Sequence, residues 1–289
     1  MPGPWAYVLN RAGIPLVPLD LMYRLFVPGA DAFYLLWGSK RQKARRNYAR
    51  ILQTDEDDPR AESLARACFH QFGRYLAEMI NVQGWDNELL LDRLEIEGEE
   101  HFVEAESHGK GVVFTSAHMG SAEVAAAIVA LRGIKITSVT EELHPRFVMD
   151  WARACRAGMG ITLLPASRAG IKLLRALRRK EMVAFVVDAG IENGGGVPVR
   201  FLGRETMFPL GPARLARISG APIVFGLAIR RPGGRFHAHI CPPLLSNRAL
   251  DAEEDQRQMT QRLAEMLEGF VRRYPAQWYV FRDIWPERG

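Results

Sequence analysis

The sequence predicts an α/β protein in which a mostly parallel sheet is flanked by helices. Three observations predict it. Short apolar, β-branched runs alternate with segments of helical period from about residue 111 to residue 273. The chain has 289 residues, 48% hydrophobic and 25% charged, which is enough to bury a core without disulfide or metal staples. No internal repeat or low-complexity tract interrupts it.

The N-terminal segment differs from the rest. Residues 1–38 carry seven aromatics, Trp5, Tyr7, Tyr23, Phe26, Phe33, Tyr34 and Trp37. Arg11, Asp20, Arg24 and Asp31, with Pro15, Pro18 and Pro28, break every apolar run before the roughly 18 residues a membrane-spanning helix needs. The order of features that marks a signal peptide is also missing. Directly after the aromatics comes a basic cluster, Lys40, Arg41, Lys43, Arg45, Arg46 and Arg50. Interfacial aromatics beside cations suit an anionic membrane surface, so residues 1–50 are expected to form an interfacial helical segment. The plainer alternative is a helical hairpin that packs on the core with a solvated basic face.

Beyond the polar stretch Thr54 to Pro59, apolar residues from Leu64 to Met79 recur every three or four positions, which predicts an amphipathic helix over 60–81. Strands are expected at 111–116, 134–139, 161–164, 182–187, 222–229 and 236–240. Helices are expected at 121–131, 145–158, 169–179, 209–218 and 251–273. This pattern reads as one α/β domain over 51–289, with no separable second domain.

A net charge of +5 calls for an anionic partner without choosing among nucleic acid, membrane and acidic substrate. Cys68, Cys155 and Cys241 form neither a CxxC pair nor a disulfide framework, and read as buried thiols in a reducing compartment.

The chemistry concentrates at Ala117-His118-Met119-Gly120-Ser121-Ala122-Glu123. On one continuous helix, residues five apart diverge by about 140°, so His118 and Glu123 meet only across a loop. Gly120 supplies the loop and Ser121 an N-cap, which puts His118 at the carboxyl end of a strand and Glu123 in the first helical turn. There the carboxylate could fix the imidazole tautomer and leave the other ring nitrogen as general base. Strand carboxyl ends are where open α/β sheets bind ligands. On spacing alone, a capping histidine with Glu123 serving the helix dipole is the simpler alternative.

Residues 116–123 resemble the His-x4-Asp/Glu motif of glycerolipid acyltransferases, in the glutamate form of the bacterial lipid A biosynthesis (lauroyl/myristoyl) acyltransferases and their phosphatidylinositol mannoside acyltransferase relatives. Further blocks resemble that family in the same order: Arg46-Asn47-Tyr48, Arg168-Ala169-Gly170, Val187-Asp188-Ala189-Gly190, residues 196–203, residues 211–216 and Tyr274-Pro275-Ala276-Gln277-Trp278. The resemblance covers about residues 40–285. It implies a glycerolipid acyltransferase-like fold. It also implies acyl transfer from an acyl carrier protein or coenzyme A thioester to a glycolipid or phospholipid hydroxyl at the cytoplasmic face of the membrane, with no metal and no other cofactor. His118 would then be the base and Glu123 its orienter. The chain departs from the lipid A enzymes at Ser121 and Ala122, where they typically carry Asn and Trp, which opens the acceptor to a different lipid.

Other residues are weighed against that site. Arg168 lies between a strand end and a helix and could bind a phosphate or the thioester carbonyl. Asp188 ends the most apolar strand, where a carboxylate is a site residue more often than a packing one. Met119 and Ser121 adjoin the base and are expected to touch substrate. Arg214, with Arg200, Arg204 and Arg217, could form a rim for an acidic carrier protein or lipid headgroups. Met119, Val124, Phe185 and Phe208 are the expected lining of an acyl pocket. His237 and His239 share a strand face but have no third ligand nearby in sequence, so a hydrogen-bonded role is preferred to a metal. Residues 192–196 are glycine-rich without a nucleotide-binding pattern. No nucleic-acid motif accompanies the charge. The remaining alternatives are a thioester or ester hydrolase using the same base and a non-catalytic basic membrane-binding module.

Overall fold

A computed structural model describes residues 17–140, 146–157, 159–165, 169–189 and 196–285. Three helices come first: α1 (Leu19–Leu36), α2 (Gly38–Leu52) and α3 (Pro59–Asn81). α3 starts where local chemistry asks it to, since Asp58 caps the Arg60 amide and Pro59 occupies the first turn. There follow α4 (Asn87–Asp92), β1 (Leu94–Glu97), α5 (Glu99–Ser107), β2 (Val112–Ser116), α6 (Ala122–Leu131), β3 (Ile136–Thr140), α7 (Arg146–Ala157) and β4 (Ile161–Pro165). Next come α8 (Gly170–Arg178), β5 (Met182–Val186), the hairpin of β6 (Gly196–Phe201) and β7 (Arg204–Pro209), α9 (Gly211–Ser219), β8 (Ile223–Arg231), β9 (Arg235–Ile240) and α10 (Ala252–Arg273).

The main sheet has the order β1-β9-β8-β2-β5-β3-β4. All its neighbouring pairs are parallel except β8 with β9. The alternation of strand and helix in the sequence therefore gives the expected α/β architecture. Its signal was weakest at β1, α5 and the β6–β7 hairpin, none of which was expected. In the hairpin, Val197, Val199 and Phe201 are buried while Pro198 and Arg200 are exposed, a half-buried alternation over only six residues. Leu202 and Gly203 turn the chain with positive φ of 51° and 80°, as a two-residue hairpin loop requires.

The sheet is covered on both faces. One face packs Val112, Ile136, Ile161 and Met182 beneath α5, α6 and α7, and the other packs Val113, Val183 and Phe225 beneath α8, α9 and α10. The central strands are accordingly continuous apolar runs. Among the described residues no helix is long and apolar enough to cross a membrane.

Helices α1 to α3 share a cluster of Tyr34, Tyr48, Ala61, Cys68 and Phe69 with Tyr279 of the C-terminal segment. Burial pushes the Cys68 thiol up to about 12, so it stays protonated. Two polar devices tie these helices to the sheet. Tyr48 donates to the carbonyls of Pro275 and Trp278 at 3.0 and 2.8 Å, and Asn47 Nδ2 to that of Arg282 at 2.8 Å. Deeper in, Arg230 of β8 pairs with Glu78 of α3 through Nε and Nη2 at 2.5 and 2.7 Å, with the Tyr23 hydroxyl donating to the same carboxylate. Both charged side chains are buried, at 5% and 0% exposure. Removing one partner strands the other charge in the interior. Glu78→Ala is therefore expected to lower unfolding free energy in urea by about 3–5 kcal/mol; a loss below about 1 kcal/mol would mean that the pair adds nothing to holding α3 on β8.

Candidate active site

The carboxyl ends of β2 and β5 lie side by side, with Ser116 in register with Val186, so the segments that follow them face each other. His118 follows β2 and Asp188 follows β5. Asp188 is fully buried, and three donors converge on it. His118 Nδ1 lies 2.9 Å from Oδ1, the His118 amide 3.0 Å from each carboxylate oxygen, and Trp278 Nε1 donates to Oδ2 at 2.8 Å. Burial alone would push the Asp188 carboxyl up, but the His118 ring and amide and the indole N–H hold it below the ordinary carboxylate range. An ionised Asp188 can only accept, so Nδ1 of His118 carries the proton and Nε2 the lone pair.

Three local features hold the loop. Gly120 sits at φ +63°, and a Cβ there would lie 2.2 Å from the Ala228 carbonyl oxygen, so only glycine fits against β8. Ser121 caps α6 by accepting from the Val124 amide at 3.3 Å. The C-terminal segment closes over the loop: Tyr279 N donates to the His118 carbonyl at 2.9 Å, and its hydroxyl to the Gly120 carbonyl at 3.1 Å.

Glu123 stands in the first turn of α6 as expected, but its partner differs. Its Oε1 accepts from Arg156 Nε and Nη2 of α7 at 3.1 and 2.8 Å and from the Tyr75 hydroxyl of α3 at 3.2 Å. Its Oε2 is buried with no hydrogen-bond partner among the described residues. The orienting carboxylate of His118 is thus Asp188, and Glu123 positions Arg156 and Tyr75. Spacing gave Glu123 the right turn of the helix; a cation 33 residues further on claims the side chain. Arg156 is held firmly charged, since burial, which would lower it, is outweighed by Tyr75 and Glu123.

His118, Tyr75, Arg156 and Tyr279 open on one cavity of about 730 Å³. Tyr75 stacks on Tyr279 at 5.3 Å, and Tyr279 presents its edge to the His118 ring at 6.5 Å. The lining is mainly aliphatic and comes from both faces of the sheet. Phe114, Ala125, Val129, Ile136, Met182 and Ala184 line it on the α6 side of the sheet, and Leu173, Leu174, Phe185, Gly211 and Leu215 on the α8–α9 side.

Among the other expected site residues, Arg214 lies on this cavity, as does Phe185. Met119, Val124 and Phe208 do not: all three are buried in the core, at 1%, 0% and 1% exposure. Met119 follows the chain inward to bridge with Trp278, and Ser121 is buried with its hydroxyl spent on the cap. Asp188 is too deep to touch a substrate and acts through His118. Arg217 is no rim cation, because Asp255 and the carbonyls of Asn247 and Leu250 hold it. Arg168 and residues 192–195 lie outside the described residues. Tyr75, Arg156, Trp278, Tyr279 and Arg282 went unread as site residues, although Trp278 lies in one of the blocks carrying the resemblance. Arg282 Nε donates to the Asp188 carbonyl at 3.1 Å and fixes the turn after β5.

One cluster outside the cavity has a ligand-like composition. Glu97 of β1, with His237 and His239 of β9, brings donor atoms within 4.8 Å of one another on the β1–β9 side of the sheet. Parallel pairing supplies the third group that sequence spacing lacked, setting Glu97 beside His239. Arg231 Nη2 lies 3.2 Å from His237 Nδ1, which therefore accepts, so Nε2–H points at Glu97 3.3 Å away. His239 Nδ1 is 3.0 Å from the same oxygen. The group is arranged as a hydrogen-bonded cluster, with an arginine where a cation would be repelled.

Known proteins resemble the chain along nearly its whole length. The family model described as bacterial lipid A biosynthesis acyltransferase matches residues 2–286. A phosphatidylinositol mannoside acyltransferase of Mycolicibacterium smegmatis is 26% identical over 261 residues, covering 89% of this chain and 83% of that protein. One from Mycobacterium tuberculosis (strain CDC 1551 / Oshkosh) is 28% identical over 291 residues, covering 97% and 88%. With the match running almost end to end, the chain belongs to the bacterial lipid A biosynthesis acyltransferase family and is an acyltransferase.

Proposed function

We propose that the protein transfers a fatty acyl group from a coenzyme A or acyl carrier protein thioester to a hydroxyl of a membrane glycolipid or phospholipid, with His118 as general base. The observation that carries this reading is that the His118–Asp188 pair stands at the head of a deep apolar cavity. Such a cavity suits an acyl chain and keeps water from the thioester. His118 Nε2 takes the acceptor hydroxyl proton as the oxygen attacks the thioester carbonyl carbon. The C–S bond then breaks, and the proton passes from the imidazolium to the leaving thiolate. Asp188 stabilises the imidazolium between those events. Arg156, on the same cavity wall, supplies positive charge for the carbonyl oxygen or an acceptor phosphate.

We place its action at an anionic membrane surface, on its cytoplasmic face, and the N-terminal helices support the membrane part. α1 and the Trp37 that ends it leave Leu21, Leu25, Phe33, Leu35, Leu36 and Trp37 exposed, Leu36 at 85%. Of the basic cluster beside them, Arg45 pairs with Glu62 and Asp57, Arg46 with Asp283, and Arg50 donates to the Trp285 carbonyl. Lys40 and Arg41 lie over the Trp37 and Tyr34 rings at the edge of the apolar ridge. Attraction to lipid then rests on Lys40, Arg41, Lys43 and Arg50, which pair with no carboxylate among the described residues, rather than on all six cations.

His118→Ala should cut the rate of acyl-lipid formation about 10²-fold to 10⁴-fold in a protein that still folds, because the residue 118 amide and Trp278 Nε1 still reach Asp188. Glu123→Gln should cost less rate and more stability, because it leaves the partly buried Arg156 guanidinium without its carboxylate. A Glu123→Gln enzyme of full stability that is as slow as His118→Ala would instead put Glu123 in the proton path. Formation of free acid in place of acyl lipid, with acceptor present, would show a hydrolase.

Binding to anionic vesicles should weaken with salt, and the triple change of Lys40, Arg41 and Lys43 to Gln should remove about 3 kcal/mol of it, at about 1 kcal/mol per cation. Equal binding of parent and triple variant, or equal binding to neutral vesicles, would refute the electrostatic part.

A further inference from the structure

On the α6 side of the sheet Phe114 is part of the wall of the His118 cavity, and it also lines a second cavity of about 320 Å³. Phe114, Ala125 and Val129 line both spaces, so they form the partition between them. The second space is apolar over most of its wall, with Ile96, Phe102, Ile128 and Ala238 contributing. Phe114 is the only aromatic of the three partition residues and the only one on the sheet. It sits on a central strand yet is not fully buried, because its ring faces the two spaces.

The ring has a specific seat. A Cβ at Gly226 of β8 would lie 2.9 Å from Phe114 Cζ and 3.0 Å from Cε2, so the ring rests directly on the β8 backbone. Gly226 lines the second cavity alone. A glycine at this point of a central strand gives up packing and β propensity, and the ring occupies the room gained.

We propose that Phe114 sets the upper acyl-chain length by closing off a distal acyl-chain site, the second cavity. This rests on the acyl-transfer reading above and names the residue that sets its selectivity. A chain that fills the first cavity on the α6 side meets the ring at its methyl end. A longer one must leave methylenes unburied or displace an aromatic side chain from its seat. Removing the ring joins the two spaces, and methylenes that found no room are buried beyond it.

The test compares the parent with Phe114→Ala, Phe114→Leu, Ala238→Leu and the double variant Phe114→Ala/Ala238→Leu. Each receives a competing series of saturated acyl-coenzyme A thioesters, and product lipids are read by mass spectrometry. Binding of the matching free fatty acids, followed by calorimetry, reads the cavities without catalysis. Phe114→Ala should move the preferred chain at least two methylenes longer, gaining about fourfold in relative rate for each methylene newly buried. Phe114→Leu, the milder change if the alanine variant unfolds, should move it the same way by less. Ala238→Leu fills only the second cavity, so it should leave the parent profile unchanged and reverse the shift in the Phe114→Ala background. A folded Phe114 variant with the parent profile, or an Ala238→Leu parent whose profile shifts, would overturn the proposal. If the parent consumes no acyl thioester, the acyl-transfer reading fails instead, and the fatty-acid series still decides whether Phe114 divides the cavity.

Discussion

The architecture of the site depends on one buried, ionised carboxylate. Asp188 stands at 0% exposure, where an unpaired carboxylate would cost several kcal/mol and take up a proton instead. Three N–H groups from two distant stretches of chain prevent that, and each is fixed by meeting it. The requirement to satisfy this charge joins the loop after β2, the turn after β5 and the C-terminal segment into one unit. The His118 ring takes its tautomer from that unit, not from the helix that follows it.

The rest of the polar framework can be seen as support for those three segments. Trp278 reaches Asp188 only because the segment after α10 is tied to α2 by Tyr48 and Asn47 and to the His118 loop by Tyr279. The N-terminal helices therefore have a structural task besides any at a membrane, since they hold the strand of chain that carries the indole. Glu123, buried, and Arg156, partly buried, form a second unit, connected to the first through the Tyr75–Tyr279 stack. One unit sets the proton chemistry of the base, and the other places a cation on the cavity wall.

Much of this was legible in the sequence, for reasons that also explain what was not. Strands such as Met182–Val186 are continuous apolar runs, and helices such as α3 carry a cap, an N-terminal proline and a regular period, so local chemistry reveals them. Gly120 and Ser121 announced the turn that the loop contains. The identity of the imidazole's partner was not local. Asp188 lies 70 residues from His118 and reaches it through parallel pairing of β2 with β5, which no spacing rule encodes. Glu123 misled because its position in the first turn was right while Arg156, from another helix, decided where its side chain points. The same limit hid Glu97 beside His239, and it made Met119 and Phe208 look like pocket residues when the chain direction sends them inward.

The most direct measurement is the proton NMR spectrum of the His118 ring in protein labelled with ¹⁵N-histidine, with His118→Ala used for assignment. A strong bond from Nδ1–H to an ionised Asp188 should give a downfield ring proton correlated to Nδ1 and sheltered from exchange. That resonance should survive Glu123→Gln and vanish or move upfield in Asp188→Asn. If it instead survives Asp188→Asn and is lost in Glu123→Gln, then Glu123 orients the base and Asp188 does not.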